Sequence, residues 1–242
     1  MKINKFLLVP ALLLVVLSAF KLVKPAADGF KPMFDGKTLN GWEGDQKYWR
    51  AENGEIIGEV TSETILKINS FLIWKGGAPA NFEIKATYRI SSKGNSGINY
   101  RSIRIDSLPY ALKGYQADID GKDKYNLGYP KYSGQNYEER GRTFLAPRGQ
   151  RTIIENGKPP KIVDTLGSKE ELLKSINYDG WNELYIIAKG NNLKHYLNGK
   201  LMSEVTDNDV VNRKFDGLIG VQVHVGPPMK IEFKDFMIKI LK

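Results

Sequence analysis

Short segments of alternating polarity, each closed by Gly, Asn or Asp, recur along most of this 242-residue chain. That rhythm is the mark of an antiparallel all-β fold. The segments cover 55–60, 82–90, 97–103, 115–120, 182–189, 193–197, 218–225 and 230–240. Asn191-Asn192 and Asn198-Gly199 stand where tight turns are needed, because Asn and Gly adopt positive φ at low cost. The last part of the chain therefore reads as a meander of hairpins. Residues 121–177 break the rhythm, being rich in Gly, Tyr, Pro, Arg and Lys, with a short strand expected at 151–155. Ser168 followed by Glu171 is a capping-box pattern that predicts a helix over 168–175. A long connection inside a compact β domain is functional or disordered, and Tyr125, Tyr129, Tyr132 and Tyr137 argue for the first.

Residues 1–27 have the layout of an export signal. Lys2 and Lys5 form a positive start, 6–17 is apolar apart from Pro10, and small residues follow at Ser18 and Ala19 and at Ala26 and Ala27. The apolar run is too short to span a bilayer, for which about 20 residues are needed; an uncleaved N-terminal anchor is the alternative. A periplasmic or secreted location follows, with no stable membrane insertion once the signal is cleaved. No linker or repeat divides the remainder, so 28–242 is read as a single domain, with enough chain for a substantial core. The absence of cysteine excludes disulfides, thiolate metal sites and a Cys nucleophile. Four lysines lie in the first 27 residues, so without them the formal charge falls from +9 to +5. The remaining basic residues form no stripe, which argues against nucleic acid as a partner.

Strand parity sorts residues into environments, since i, i+2 and i+4 share a face. Gln116, Asp118 and Asp120 fall opposite Tyr115, Ala117 and Ile119. Gly97, Asn99 and Arg101 separate from Ile98 and Tyr100, and Gln222 and His224 from Val221, Val223 and Val225. A wet outer face is ordinarily Lys, Glu and Thr, as at Glu83, Lys85 and Thr87. The three polar faces here carry Gln, Asp, Asn, Arg and His instead. If these strands are neighbours, Arg101, Asp118, Asp120, Gln222 and His224 meet on one floor, as an active site or sugar-binding groove requires. His224, followed by the rigid Gly226-Pro227-Pro228, is the better candidate of the two histidines for proton transfer. His195, just before the Asn198-Gly199 turn, reads as an exposed strand residue.

The sequence has no Gly-rich phosphate loop, no zinc helix and no nucleophile elbow. The Glu-x-Asp-x-x-Glu strand of retaining sandwich glucanases would fall on Gln116, Asp118 and Gly121, so both glutamates are missing and that double displacement is not available.

The run Phe34-Asp35-Gly36-Lys37-Thr38-Leu39-Asn40-Gly41-Trp42 resembles the opening of the 3-keto-disaccharide hydrolase domain family, also described as 3-keto-glucoside 1,2-lyase/3-keto-2-hydroxy-glucal hydratase. Gly94-Asn95-Ser96-Gly97-Ile98 with Arg101, and Gly114-Tyr115-Gln116-Ala117-Asp118-Ile119-Asp120, resemble it further. So do Tyr137-Glu138-Glu139 with Arg142, Gly180-Trp181-Asn182, Leu197-Asn198-Gly199 and Gly220-Val221-Gln222-Val223-His224. The resemblance implies a concanavalin A-like lectin/glucanase β-sandwich, a jelly roll of two antiparallel sheets, here with one long loop insertion. It also implies an exported enzyme acting on a small-molecule 3-keto sugar or oligosaccharide. One branch of the family has Glu in place of Gln116; this chain goes with the Gln-x-Asp branch, which leaves lyase, hydratase and net hydrolase open.

A ketone at C3 acidifies the C2 hydrogen, so a base can remove it and the C1 substituent can leave by β-elimination. Water added across the resulting double bond gives net hydrolysis. His224 or Asp118 is then expected as the base, with the other or Glu139 protonating the leaving oxygen. Arg101 and Gln116 are expected at the enolate oxygen, with Asn99, Asp120 and Gln222 also toward the sugar, and Tyr137 and Arg142 covering it. For Glu139 and Arg142 a loop-bracing ion pair is the alternative role. Two competing functions remain. One is a non-catalytic lectin-like module stacking sugars on Trp42, Trp49 and Tyr137. In the other, Asp118 and Asp120 hold Ca²⁺, although no cofactor is otherwise expected.

Overall fold

The computed structural model describes residues 29–123 and 131–242, so the expected export signal, Tyr125 and Tyr129 lie outside the described residues. In chain order the strands are β1 (Lys31–Pro32), β2 (Trp42–Glu43), β3 (Trp49–Glu52), β4 (Glu55–Val60), β5 (Ser70–Trp74) and β6 (Phe82–Ile90). There follow β7 (Asn95–Arg104), β8 (Leu112–Asp120), β9 (Asn136–Glu139), β10 (Thr143–Ala146), β11 (Gln150–Ile154) and β12 (Lys161–Thr165). Helix α1 (Lys169–Lys174) precedes β13 (Asn182–Lys189), β14 (Asn192–Leu197), β15 (Lys200–Asp207), β16 (Leu218–Val223) and β17 (Met229–Ile240).

These strands build two sheets. One runs β12-β11-β15-β14-β13-β6-β17-β4-β3, with β1 added to β17; the other runs β10-β9-β8-β7-β16-β5-β2. Among the described residues every pairing is antiparallel except β11 with β15. The inner faces meet in one core, to which Ile84, Ile186 and Phe233 come from the larger sheet and Ile98, Tyr115 and Val221 from the smaller. The result is the expected two-sheet β-sandwich.

Where the sequence alternates, the strand follows it. In β6 every second residue from Phe82 to Tyr88 is buried, and β13 repeats the pattern from Asn182 to Ala188. Helix α1 forms where its capping box lies: Ser168 accepts from the Glu171 N–H, and the Glu171 carboxylate accepts from the Ser168 N–H. Strand β5 gives no alternating signal because Ser70, Phe71, Leu72 and Ile73 are all buried. Leu72 faces the main core, while Phe71 and Ile73 pack with Leu112 and Leu218 in a second cluster on the outer face of the smaller sheet. That cluster lies under the 105–111 connection, whose Tyr110 carbonyl accepts the Phe71 N–H. The outer face of the smaller sheet is thus apolar and covered at one end. At the other end it carries the polar residues of β7, β8, β9 and β16.

Candidate active site

On β8 the residues Tyr115, Ala117 and Ile119 enter the core, which turns Gln116 and Asp118 to the outer face. The register sets Asp118 beside Gly97 of β7, and Gln116 beside Tyr137 of β9. A Cβ on Gly97 would lie 2.6 Å from the Gln116 side chain. Glycine there lets the Gln116 amide lie across β7, from where Nε2 donates to Asp118 Oδ1 at 2.7 Å. Strand β16 flanks β7 on its other side, and its Gln222 Nε2 donates to Gln116 Oε1 at 3.3 Å.

Over this floor opens a cleft of ≈ 360 Å³. Asp118, Glu139 and His224 line it together, so the three candidate acid and base groups share one cavity. Gln116 and Asn95 contribute to its base, Tyr132, Tyr137 and Phe144 form an aromatic wall, and Asn69 and Arg140 complete it.

Burial pushes the Asp118 carboxyl up to about 8, against the amide donors Gln135 and Gln116 that favour its charged form. The Gln135 Nε2 donor lies 2.7 Å from Oδ2. At neutral pH, Asp118 is therefore mostly a neutral acid. Burial also raises Glu139, opposed by Asn69 and Arg140. Asn69 is a clip: its Nδ2 donates to Glu139 Oε1 at 3.2 Å, and its Oδ1 accepts the Val225 N–H at 2.9 Å. It ties the carboxyl to the loop that carries His224, which sits just past the end of β16. The Nδ1 of His224 faces the Val225 carbonyl oxygen. A carbonyl only accepts, so Nδ1 bears the hydrogen and Nε2 is the basic nitrogen. Arg140 has a φ of 55°. That left-handed turn breaks the strand alternation, so the consecutive residues Glu139 and Arg140 both reach the cleft.

Residues 29–239 match the model of the 3-keto-alpha-glucoside-1,2-lyase-like domain. The chain belongs to that family. The 3-keto-disaccharide hydrolase of Bacteroides thetaiotaomicron is 35% identical over 104 residues, which is 40% of this chain and 32% of that relative. The matched stretch is thus about a third of the curated relative's length. Among solved structures, a provisionally named glycosyl hydrolase from Parabacteroides distasonis superposes with a TM-score of 0.58 at 21% identity, covering 89% of this chain and 95% of that one. A Bacillus subtilis protein of galectin-like fold gives 0.53 at 12% identity, over 84% and 90%. At such identities the likeness is one of fold.

This member of the 3-keto-alpha-glucoside-1,2-lyase-like family places several expected sugar contacts elsewhere. Arg101 is not in the cleft. The β7–β8 register shifts between Tyr100 and Ile103, and Arg101 takes a φ of 46° at that bulge. Its guanidinium donates to the carbonyls of Ala80, Gly190 and Lys214, which bind the loops at one end of the sandwich. Arg142 is not a cover for the cleft and does not pair with Glu139. It donates to Glu138 at 2.6 Å and to both oxygens of Asp207 at 3.0 and 2.7 Å, a largely buried network. Asp120 is spent on the chain itself, accepting from the N–H groups of Lys131, Tyr132 and Ser133 and from the Ser133 hydroxyl. Among the described residues no group of three or more His, Asp or Glu has metal-site geometry. Gln222 and Asn99 are fully buried in or beside the floor rather than lining the cleft.

His195 is also corrected. It is fully buried between the sheets rather than exposed, with Nε2 2.8 Å from the Tyr100 hydroxyl and Nδ1 3.1 Å from the Gln135 carbonyl oxygen. Trp42 and Trp49 are core residues, 4% and 2% exposed, and offer no sugar platform. Asn95 was within reach of the parity rule that selects Asn99. Asn69 and Arg140 carry no such signal, since one precedes its strand and the other depends on a left-handed turn.

Proposed function

We propose that this protein is an exported carbohydrate-active enzyme that cleaves 3-keto-glycosides by removing the C2 proton and expelling the C1 substituent. Hydration of the resulting glucal would complete net hydrolysis. The observation that carries this reading is the sharing of one cleft by His224, Asp118 and Glu139 in a chain of this family. His224 Nε2 takes the C2 proton. Asp118, neutral near pH 7, donates a hydrogen bond to the C3 oxygen as its charge develops, with Gln116 beside it; a buried neutral carboxyl is suited to that task. Glu139, also raised, protonates the leaving oxygen, and Arg140 adds positive charge at the rim. An imidazole and two raised carboxyls in one cleft supply the two kinds of group that proton removal and proton donation need. No step requires a metal ion.

Purified protein is incubated with 3-keto-trehalose and a 3-keto-β-glucoside in deuterated water. The expected products are the glucal and its hydrate, the hydrate carrying solvent deuterium at C2, read by mass spectrometry. Glycan binding with no product would replace this reading with a lectin-like one. Recovery of residues 28–242 outside the cytoplasm, lacking the first 27, would support export.

A further inference from the structure

A second cavity of ≈ 380 Å³ lies against the first. Tyr132 and Phe144 line both, their rings stacked with centroids 5.7 Å apart, so one aromatic partition separates the two compartments. Phe144 is 46% exposed although its ring also meets Tyr132 and Tyr137, so part of its apolar surface remains available to a bound group. The two linings differ in composition. The first holds Asp118 and Glu139 together with Arg140 and His224, whereas the described lining of the second includes Lys131, Arg148 and Lys169 and no carboxylate. Arg148 is 8% exposed and fixed in place, with Nη1 donating to the Ser133 carbonyl at 2.9 Å. Gln135 lines this second cavity while its amide holds Asp118 in the first, so the two lie within one side chain of each other.

We propose that the second cavity is the leaving-group compartment and that it takes an aglycone carrying a carboxylate. The inference rests on the elimination reading for its orientation: with the keto sugar over Asp118, the C1 substituent crosses the Tyr132–Phe144 partition. A ring on that substituent packs against the exposed part of Phe144. A carboxylate beyond it meets one buried guanidinium and two lysine ammonium groups, where partial desolvation strengthens the attraction. The partition thus sorts a neutral ring from an anionic tail.

Titration with 4-hydroxybenzoate and with its neutral isostere 4-hydroxybenzamide tests the compartment without turnover. The expected result is a preference for the carboxylate of about tenfold, falling towards one in 0.5 M salt and in the Lys131→Gln/Lys169→Gln variant. Both lysines are exposed, so the variant should unfold at the wild-type temperature. Equal affinities, no binding, or a preference untouched by the variant would overturn the inference. The 3-keto-β-glucosides of the same two phenols test it in turnover, where the carboxylate should give the higher kcat/KM by a similar factor. Turnover of both without preference refutes the anionic compartment and leaves the reaction standing. Preferential binding of 4-hydroxybenzoate with no turnover of either glucoside refutes the reaction and leaves the compartment standing.

Discussion

The two faces of β8 each hold buried ionisable chemistry, and they use it in opposite ways. On the inner face, Tyr115 donates to Asp207 at 2.6 Å, Asp207 and Glu138 are neutralised by Arg142, and His195 is closed between Tyr100 and Gln135. On the outer face, one residue along, Asp118 is just as short of water but borders an open cleft. Gln135 stands between the two, its carbonyl serving His195 and its amide serving Asp118. Buried polarity alone therefore does not mark a site. What separates the two faces is whether the polar groups are saturated by one another or left room for a ligand.

Substitutions on the outer face should break chemistry more than structure. Asp118→Asn or His224→Ala is expected to lower kcat by about 10² to 10⁴, with folding retained, in steady-state assays of a 3-keto-glucoside. Wild-type turnover in both would remove the assignment. On the inner face, Arg142→Ala leaves Asp207 and Glu138 buried without their cation. A loss of about 3 to 5 kcal/mol in urea unfolding is expected, and a change under 1 kcal/mol would mean that the network is ornamental.

The pH dependence sharpens the contrast because the two faces carry opposite signs. Asp118 is raised to about 8 in the fold, above its ordinary value of 3.8, so the folded state holds its proton longer. Its contribution to stability is full below about pH 4 and is lost as pH rises through about 8. His195 is lowered by burial to about 4 from 6.5, so its contribution is full above 6.5 and is lost as pH falls through about 4. Urea midpoints from pH 4 to 9 should show the alkaline decline flattened in Asp118→Asn and the acid decline flattened in His195→Gln. Should either variant parallel the wild type, the corresponding group does not titrate as assigned. In catalysis, neutral Asp118 predicts a rate that falls above about pH 8.

The smallest effect is expected at the clip between β5 and the His224 loop. Asn69→Ala removes two hydrogen bonds, costing about 1 to 2 kcal/mol. Because it also frees Glu139 and the His224 loop, kcat should fall several-fold while KM changes little. An unchanged kcat would reduce Asn69 to a loop anchor.

Much of this was legible in the sequence where local physics decides. The capping box at Ser168 and Glu171 satisfies the helix end with neighbouring atoms, and the alternation in 82–90 and 182–189 reflects one dry and one wet face. Parity also turned Gln116 and Asp118 the right way, since no bulge interrupts β8. The same rule failed one strand away at Arg101, where a bulge and a positive φ redirect the side chain. It failed for β5 too, because a strand covered on both faces has no alternation to read.

The order of hydrophobic and polar residues thus determined an antiparallel all-β fold and which face of β8 would carry acids, because side-chain period and turn chemistry are properties of neighbouring residues, whereas the two-sheet sandwich was implied by the family resemblance. Only the tertiary structure decided that Arg142 and His195 serve the interior while Asn69 and Arg140 join Asp118, Glu139 and His224 at the cleft. Those assignments depend on desolvation and in large part on partners distant in sequence, 17 residues apart for Asp118 and Gln135 and 156 for Asn69 and Val225. Such distances along the chain leave no local pattern.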